Sequence, residues 1–376
     1  MFLPEKKVMA EPLKNLYNPA FFESITPVLK ESLPSMDERE FIYNVFDQEW
    51  PDLELKQRVR KITVALKRQL DPEFPKAAKQ LREVSKSFVG KGRWIQKFEM
   101  AFLPEFVGLF GDDYPRESLD ALEDITKLVT GEFAIRNFLL LYPEETIARM
   151  EAWSRDKDPN VRRLASEGCR PRLPWAIGVP WLKKHPERLL PILENLRADP
   201  SDVVRRSVAN NLNDIAKDHP DLVLDIAQRW KNGNPLTNQI IRHGCRTLLK
   251  RGNHKSLALQ GIDTRKTLDL ISMKLSAKEV KRGDELSFAI ALRNKERKPV
   301  RFRLDYTIDY ITASGKTSRR IFFLKEGEAV SGEVVEIRWK KRFTDYTTRK
   351  QFPGRHLLRV ILNGNEIVAK NFAVTD

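Results

Sequence analysis

Up to about residue 265, apolar residues recur every three or four positions and are rich in Leu and Ala; beyond it, β-branched and aromatic residues alternate with polar ones. The first pattern predicts amphipathic helices and the second half-buried strands. Strands are expected over 268–277, 285–292, 300–311, 319–325, 334–341, 356–364 and 367–374, separated by turn strings such as KRGD, TASGK and LNGN. Short strands at that spacing fit an immunoglobulin-like sandwich of about 100 residues. The Cys…Trp…Cys spacing of antibody domains is missing, so the resemblance is one of architecture. Two domains are predicted, a helical one over 1–265 and a sandwich over 266–376, joined through 251–266.

The helical part repeats itself. DPNVRRLASEGCR (158–170) parallels DPSDVVRRSVANNLND (199–214), with Arg162–Arg163 matching Arg205–Arg206 at an offset of 43. YPEETIARMEAW from Tyr142 recurs as HPERLLPILENL from His185, and HPDLVLDIAQRW from His219 is a third copy. A recurring two-helix unit of about 40 residues is the signature of HEAT-like solenoids. The fold class expected is therefore multidomain, an all-α HEAT-like repeat solenoid followed by a small all-β immunoglobulin-like sandwich.

Helical phase divides the repeated helix into two faces. Val161, Leu164, Ala165 and Gly168 share a packing face, as do Val204, Val208, Leu212 and Ile215 one repeat later. Arg163, Glu167 and Arg170 fall on the opposite side, with Arg206, Asn210 and Asn213 as their equivalents. Stacked repeats line such positions into a strip. A solvated face with pairs such as Arg163–Glu167 is the plain account of it. The asparagines are poor helix formers, and the unusual loop RPRLPWAIGVPW (170–181) follows directly, which favours a binding role. Upstream, TGEFAIRNFLLLYP (130–143) predicts a helix with Thr130 as N-cap and Glu132 in its first turn. Helix-start chemistry alone would account for that glutamate.

Charge then narrows the partner. Lys and Arg number 67 against 52 Asp and Glu, a formal +15 with a pI near 9.7. Residues 266–376 carry 24 Lys/Arg against 14 Asp/Glu, leaving 43 against 38 for 1–265. Such an excess makes a polyanion the first partner to consider. The densest run is RWKKRFTDYTTRKQFPGR (338–355), in which Lys340, Lys341 and Arg342 are candidate backbone contacts. Trp339, Phe343 and Tyr346 are interleaved there, either stacking on nucleic acid or facing the sandwich core. Two cysteines cannot form a disulfide framework or a zinc cluster. Of the five histidines, His185 and His219 open repeated His-Pro helix starts as caps or surface groups, and His243, His254 and His356 have no partner at ligand spacing, so no metal or other cofactor is expected. Phosphate-loop, dinucleotide and Ser-His-Asp patterns are missing. The sequence has no apolar run of membrane-spanning length and no secretory leader, so a cytoplasmic protein without a membrane partner is expected.

Three strings, GEFAIRNFL (131–139), VRRLASEGCRPRLPWA (161–176) and VVRRSVANNLNDIAKDHP (203–220), resemble the AlkC branch of the HEAT-like DNA alkylation repair glycosylases. The resemblance covers roughly 100–250, and the sandwich resembles the immunoglobulin-like domain that some members append. It implies a monofunctional glycosylase that hydrolyses the N-glycosidic bond of cationic alkylated bases, chiefly 3-methyladenine and 3-methylcytosine, in duplex DNA. It also implies that no base is flipped. Such a base is already a good leaving group, so the enzyme mainly stabilises positive charge developing on the sugar and positions water. Glu132 and Glu167 are the candidate carboxylates, with their roles open between sugar and water. Trp175 can press its face on the sugar or base, worth about 1–2 kcal/mol, and Phe133 can shape the same wall. Arg163, Arg170, Arg172 and Arg206 are candidate phosphate clamps, with Asn210 and Asn213 adding uncharged contacts. Arg136 either pairs with Glu132 at i+4 or contacts the DNA backbone. The partner expected is double-stranded DNA bearing alkylated bases, bound by a monomer. The alternative is a non-catalytic HEAT scaffold for nucleic acid or an acidic protein.

Overall fold

The structure, a computed structural model, describes residues 11–93, 95–231, 233–265, 268–346 and 350–376. Two compact units emerge, 1–214 and 215–376. The described elements change from helix to strand between Leu259 and Asp269, where composition predicts it. The compact units divide earlier, because the last helices pack on the sandwich rather than standing apart from it.

The first unit is an array of paired helices: α1 Pro19–Ser32, α2 Glu38–Val45, α3 Leu55–Lys67, α4 Phe74–Lys91, α5 Phe102–Phe110, α6 Pro115–Thr126, α7 Ile135–Leu141, α8 Pro143–Trp153, α9 Pro159–Glu167, α10 Pro180–Lys184, α11 Leu190–Asn195 and α12 Asp202–Ile215. Proline opens many of them, at the position where a missing amide hydrogen costs least. Asp158 caps α9 by accepting from the Asn160 amide at 2.7 Å. The repeat is visible in α8–α9 and again in α11–α12. In the second copy Pro191 interrupts the first helix, which splits into a 3-10 turn, Pro186–Leu189, and α11. The expected packing face is the observed one: Val161, Leu164, Ala165, Val204, Val208, Leu212 and Ile215 are all buried.

The second unit begins with α13 Pro220–Trp230, α14 Pro235–Gly244, α15 Arg246–Lys250 and α16 His254–Leu259. The strands follow: β1 Asp269–Leu275, β2 Glu279–Lys281, β3 Glu285–Arg293, β4 Val300–Ile311, β5 Thr317–Ala329, β6 Val334–Arg342, β7 Gly354–Leu362 and β8 Asn365–Thr375. One sheet has the order β1-β3-β6 and the other β2-β8-β7-β4-β5. β2 is the strand that the alternation does not predict: three residues are too few to show a period, and it pairs in parallel with β8. An Asn363–Gly364 turn, both residues at positive φ, closes the β7–β8 hairpin as such pairs do. That turn meets Gly252 after α15 so closely that a Cβ on Gly252 would lie 2.8 Å from the Gly364 Cα. The contact of α15 with β5 and the Arg242–Glu326 ion pair at 3.1 Å add to this docking.

Candidate active site and nucleic-acid interface

The site grows from the turn before α7. The Thr130 hydroxyl accepts from the Glu132 amide at 3.3 Å and donates to Glu132 Oε2 at 3.0 Å. Thr130 thus shapes a local turn rather than capping the helix, which starts after Ala134 without a side-chain cap. Arg163 on α9 reaches the same atoms: Nη2 lies 2.8 Å from Glu132 Oε2 and Nη1 donates to Thr130 Oγ1 at 3.1 Å. One carboxylate oxygen is therefore fixed by an arginine and a hydroxyl. The other, Oε1, makes no hydrogen bond among the described residues. The Glu132 side chain is 13% exposed and Arg163 26%, so the pair sits where desolvation strengthens electrostatics without shutting out a ligand.

Glu167 stands one helical turn beyond Arg163 on α9, a spacing that brings side chains to about 5–6 Å. It repeats the arrangement: Oε1 accepts from Arg170 Nη1 at 2.6 Å, and Oε2 has no hydrogen-bond partner among the described residues. The geometry differs from the expected exposed strip. The helix ends at Glu167, so Arg170 lies in the following turn and folds inward, where its Nε meets Asp214 Oδ2 of α12 at 3.0 Å. Burial alone would weaken the Arg170 guanidinium's hold on its proton. The Glu167 and Asp214 carboxylates outweigh that and hold its pKa above the usual arginine range. The phosphate clamp expected at Arg170 is thus corrected to a buried ion pair. Asn213, 3% exposed, likewise lies inside, whereas Asn210 is half-buried and Arg206 exposed. Arg206 Nε is 3.0 Å from Asp202 Oδ2.

Arg136 also differs from expectation. It is 1% exposed, and it pairs with no carboxylate in the site. Nη1 donates to the Gly168 and Arg170 carbonyls, each at 2.9 Å, and Nε to the Ile177 carbonyl at 2.6 Å. Burial holds its pKa below the ordinary arginine value. Its planar fork of donors matches converging carbonyls, so Arg136 staples the loop 168–179 to α7. Trp181 adds a second staple, Nε1 donating to the Leu139 carbonyl at 2.7 Å. Behind them Cys169 is fully buried, and burial pushes its thiol up to about 12, removing it as a nucleophile.

The stapled loop presents Trp175, 69% exposed with φ +65°. Left-handed backbone is rare for a bulky residue and costs on the order of 1–3 kcal/mol, so the surrounding structure must hold it there. Lys56 of α3 does part of this: Nζ donates to the Trp175 carbonyl at 2.5 Å and lies 5.6 Å from the centroid of the half-buried Phe133 ring. It thereby joins Phe133, beside Glu132, to the tryptophan loop. Lys56, Thr130 as a carboxylate donor, and Asp214 are site residues that sequence reasoning missed. Arg172 is exposed on the same loop.

In the sandwich, Trp339 packs 5.3 Å from Phe288 and 4.2 Å from Tyr306, and Phe343 is fully buried, so these aromatics belong to the core. Lys340 and Arg342 are exposed on alternate positions of β6, as a period of two requires. Lys341 lies 5.4 Å from the Phe322 ring and 6.0 Å from Tyr346. Residues 347–349 of the basic run lie outside the described residues. Among the described residues no group of three or more His, Cys, Asp or Glu could hold a metal ion, and no helix is long and apolar enough to cross a membrane.

A helical repeat array with two arginine-held carboxylates and a protruding tryptophan is followed by an immunoglobulin-like sandwich. A family model for a DNA alkylation repair enzyme matches residues 130–248, and one for the C-terminal Ig-like domain of the uncharacterised protein YhaZ matches 269–376. The chain is 38% identical over 362 residues to the uncharacterised protein YhaZ of Bacillus subtilis (strain 168), spanning 96% of this chain and 99% of that one. It is also similar to the Pseudomonas fluorescens alkylpurine DNA glycosylase AlkC, solved bound to DNA containing an abasic site analogue. That likeness has 33% identity and a TM-score of 0.89, and covers 97% of this chain and all of that one. The chain belongs to the AlkC-type DNA alkylation repair enzymes.

Proposed function

We propose that the protein is a monofunctional DNA glycosylase that removes cationic alkylated bases, 3-methyladenine and 3-methylcytosine, from duplex DNA without flipping them. The observation that carries this reading is Glu132: one oxygen is fixed by Arg163 and Thr130, and the other has no hydrogen-bond partner among the described residues. A carboxylate fixed in advance can face the positive charge that builds on the deoxyribose as the C1′–N bond breaks. The bond's electron pair leaves with the base, which departs neutral. Water then adds at C1′ and gives up a proton. Glu167, fixed by Arg170 one turn along α9, is the second carboxylate, and the two share stabilisation of the sugar and activation of water. Trp175 and Phe133 form the apolar wall against which the sugar rests.

The phosphate contacts in this reading are Arg163, Arg172, Arg206 and Asn210 from the helical part, with Lys340, Lys341 and Arg342 from the sandwich. Arg136 and Arg170 act from inside, by shaping the loop and by orienting Glu167. We also take the helical residues 1–265 as the hydrolase and 266–376 as its accessory DNA-binding part. Family membership and the likeness to a DNA-bound glycosylase support the reading. The test is product identity. Incubation with methylated duplex DNA should yield free 3-methyladenine or 3-methylcytosine and leave an abasic site. Tight DNA binding with no free base released would leave only a scaffold.

A further inference from the structure

The basic helix α3 lies outside the segment that the DNA alkylation repair family model matches. Leu55–Lys67 together with the C-cap Arg68 carries six Lys or Arg residues and no Asp or Glu. The structure sorts these six. Arg58 is buried, donates to the Leu53 and Lys14 carbonyls and stacks 4.7 Å over Trp50. Lys61 is held by Asp47 and Glu49. Arg68 donates to Asn44 Oδ1 at 2.9 Å. The other three, Lys56, Arg60 and Lys67, are all exposed. At 100° per residue they fall within an arc of about 40°, so they form one stripe roughly 16 Å long.

The stripe is continuous with the site. Its N-terminal member, Lys56, touches the Phe133 ring and the Trp175 carbonyl. Its other members run beside α5: Arg60 is 3.6 Å from the half-buried Glu105, a long pair, and Lys67 lies 4.1 Å over the Phe110 ring. The end of α5 in turn abuts the Glu132 segment, since Gly108 packs on Ala134 and its carbonyl accepts from Asn137. The placement thus joins a carboxylate site to a cationic rail on one surface.

We infer that Lys56, Arg60 and Lys67 form a track for the phosphates of duplex DNA, extending the interface along α3 beyond the hydrolytic site. The inference rests on the reading above that DNA is the ligand. Duplex DNA carries one charge per about 1.7 Å of axis, so a 16 Å rail faces on the order of ten phosphates and can take several contacts.

The experiment measures the affinity of the full chain for an undamaged, labelled duplex across a salt series. Wild type is compared with the double variant Arg60→Gln/Lys67→Gln, the charge-keeping Arg60→Lys/Lys67→Arg, and Lys86→Gln on α4 as an unrelated surface charge. Each lost phosphate contact lowers the slope of log affinity against log salt by about 0.9. The neutralised double variant should lose nearly two units of slope and on the order of tenfold or more in affinity at low salt, while the other two keep the wild-type slope. An unchanged slope in the neutralised variant, or an equal loss in Lys86→Gln, overturns the track. Failure of wild type itself to bind duplex DNA would instead overturn the functional reading on which it rests.

Discussion

Trp175 combines two features that oppose each other: a large exposed ring and a left-handed backbone. Glycine adopts that backbone freely, and other residues do not. We therefore expect Trp175→Gly to be more stable than Trp175→Ala by about 1 kcal/mol, the reverse of the usual order at an ordinary position. Denaturation midpoints check this, and both variants should release base more slowly than wild type. The buried arginines make a second residue-scale prediction. Arg170→Met would leave the buried Glu167 carboxylate without its arginine and remove an ion pair from Asp214, at a cost of about 3–5 kcal/mol, read as a large drop in melting temperature. Neither arginine's burial was legible in the sequence. Arginine is seldom fully buried, and the carbonyls and carboxylates that receive Arg136 and Arg170 come from distant segments. Helical phase also cannot be carried from Glu167 to Arg170, because the helix has ended. The Glu132–Arg163 pair is hidden for the same reason: each residue stands out in its own string, but only packing of α9 against the preceding turn brings them together.

Elements were more legible. The packing faces of α9 and α12 follow from a period of about 3.6, and every predicted apolar member is buried. The predicted Asn-Gly turn closes the last hairpin, because that pair tolerates two positive φ angles. What escaped was non-local. β2 is too short to show alternation, and the close approach of Gly252, after α15, to Gly364 of the β7–β8 turn joins two glycines far apart in the chain. Gly252→Ala would introduce a Cβ 2.8 Å from the Gly364 backbone, at a φ of +70°. Strain of this kind should destabilise the second unit by at least 2 kcal/mol, measurable as a lowered melting transition, while the packing of 1–214 is unaffected.

At the scale of the molecule, the two compact units do not divide where composition changes. Deleting 266–376 would strip α15 of the strand it packs on, so loss of activity in that truncation would report misfolding as well as lost DNA contacts. Lys340→Gln/Arg342→Gln is the cleaner probe of the sandwich, and it should lower the salt slope of DNA binding by up to two units. The sandwich also has an acid limit. His356 is 1% exposed, and burial holds its pKa below the ordinary histidine value. The unfolded chain then takes up a proton before the folded one, so stability is lost as pH falls below about 6.5. A melting series between about pH 7.5 and pH 5 should show the second unit weakening, and His356→Leu should flatten that dependence.

The net charge of +15 points to a polyanion, but the central claim concerns one side chain. Glu132→Gln keeps the shape of the site and removes the charge that the mechanism needs. The decisive measurement is its single-turnover rate of 3-methyladenine release from methylated duplex DNA, with DNA affinity measured in parallel. The account predicts a fall on the order of 10²–10³-fold in rate with binding retained. Release at the wild-type rate would contradict it.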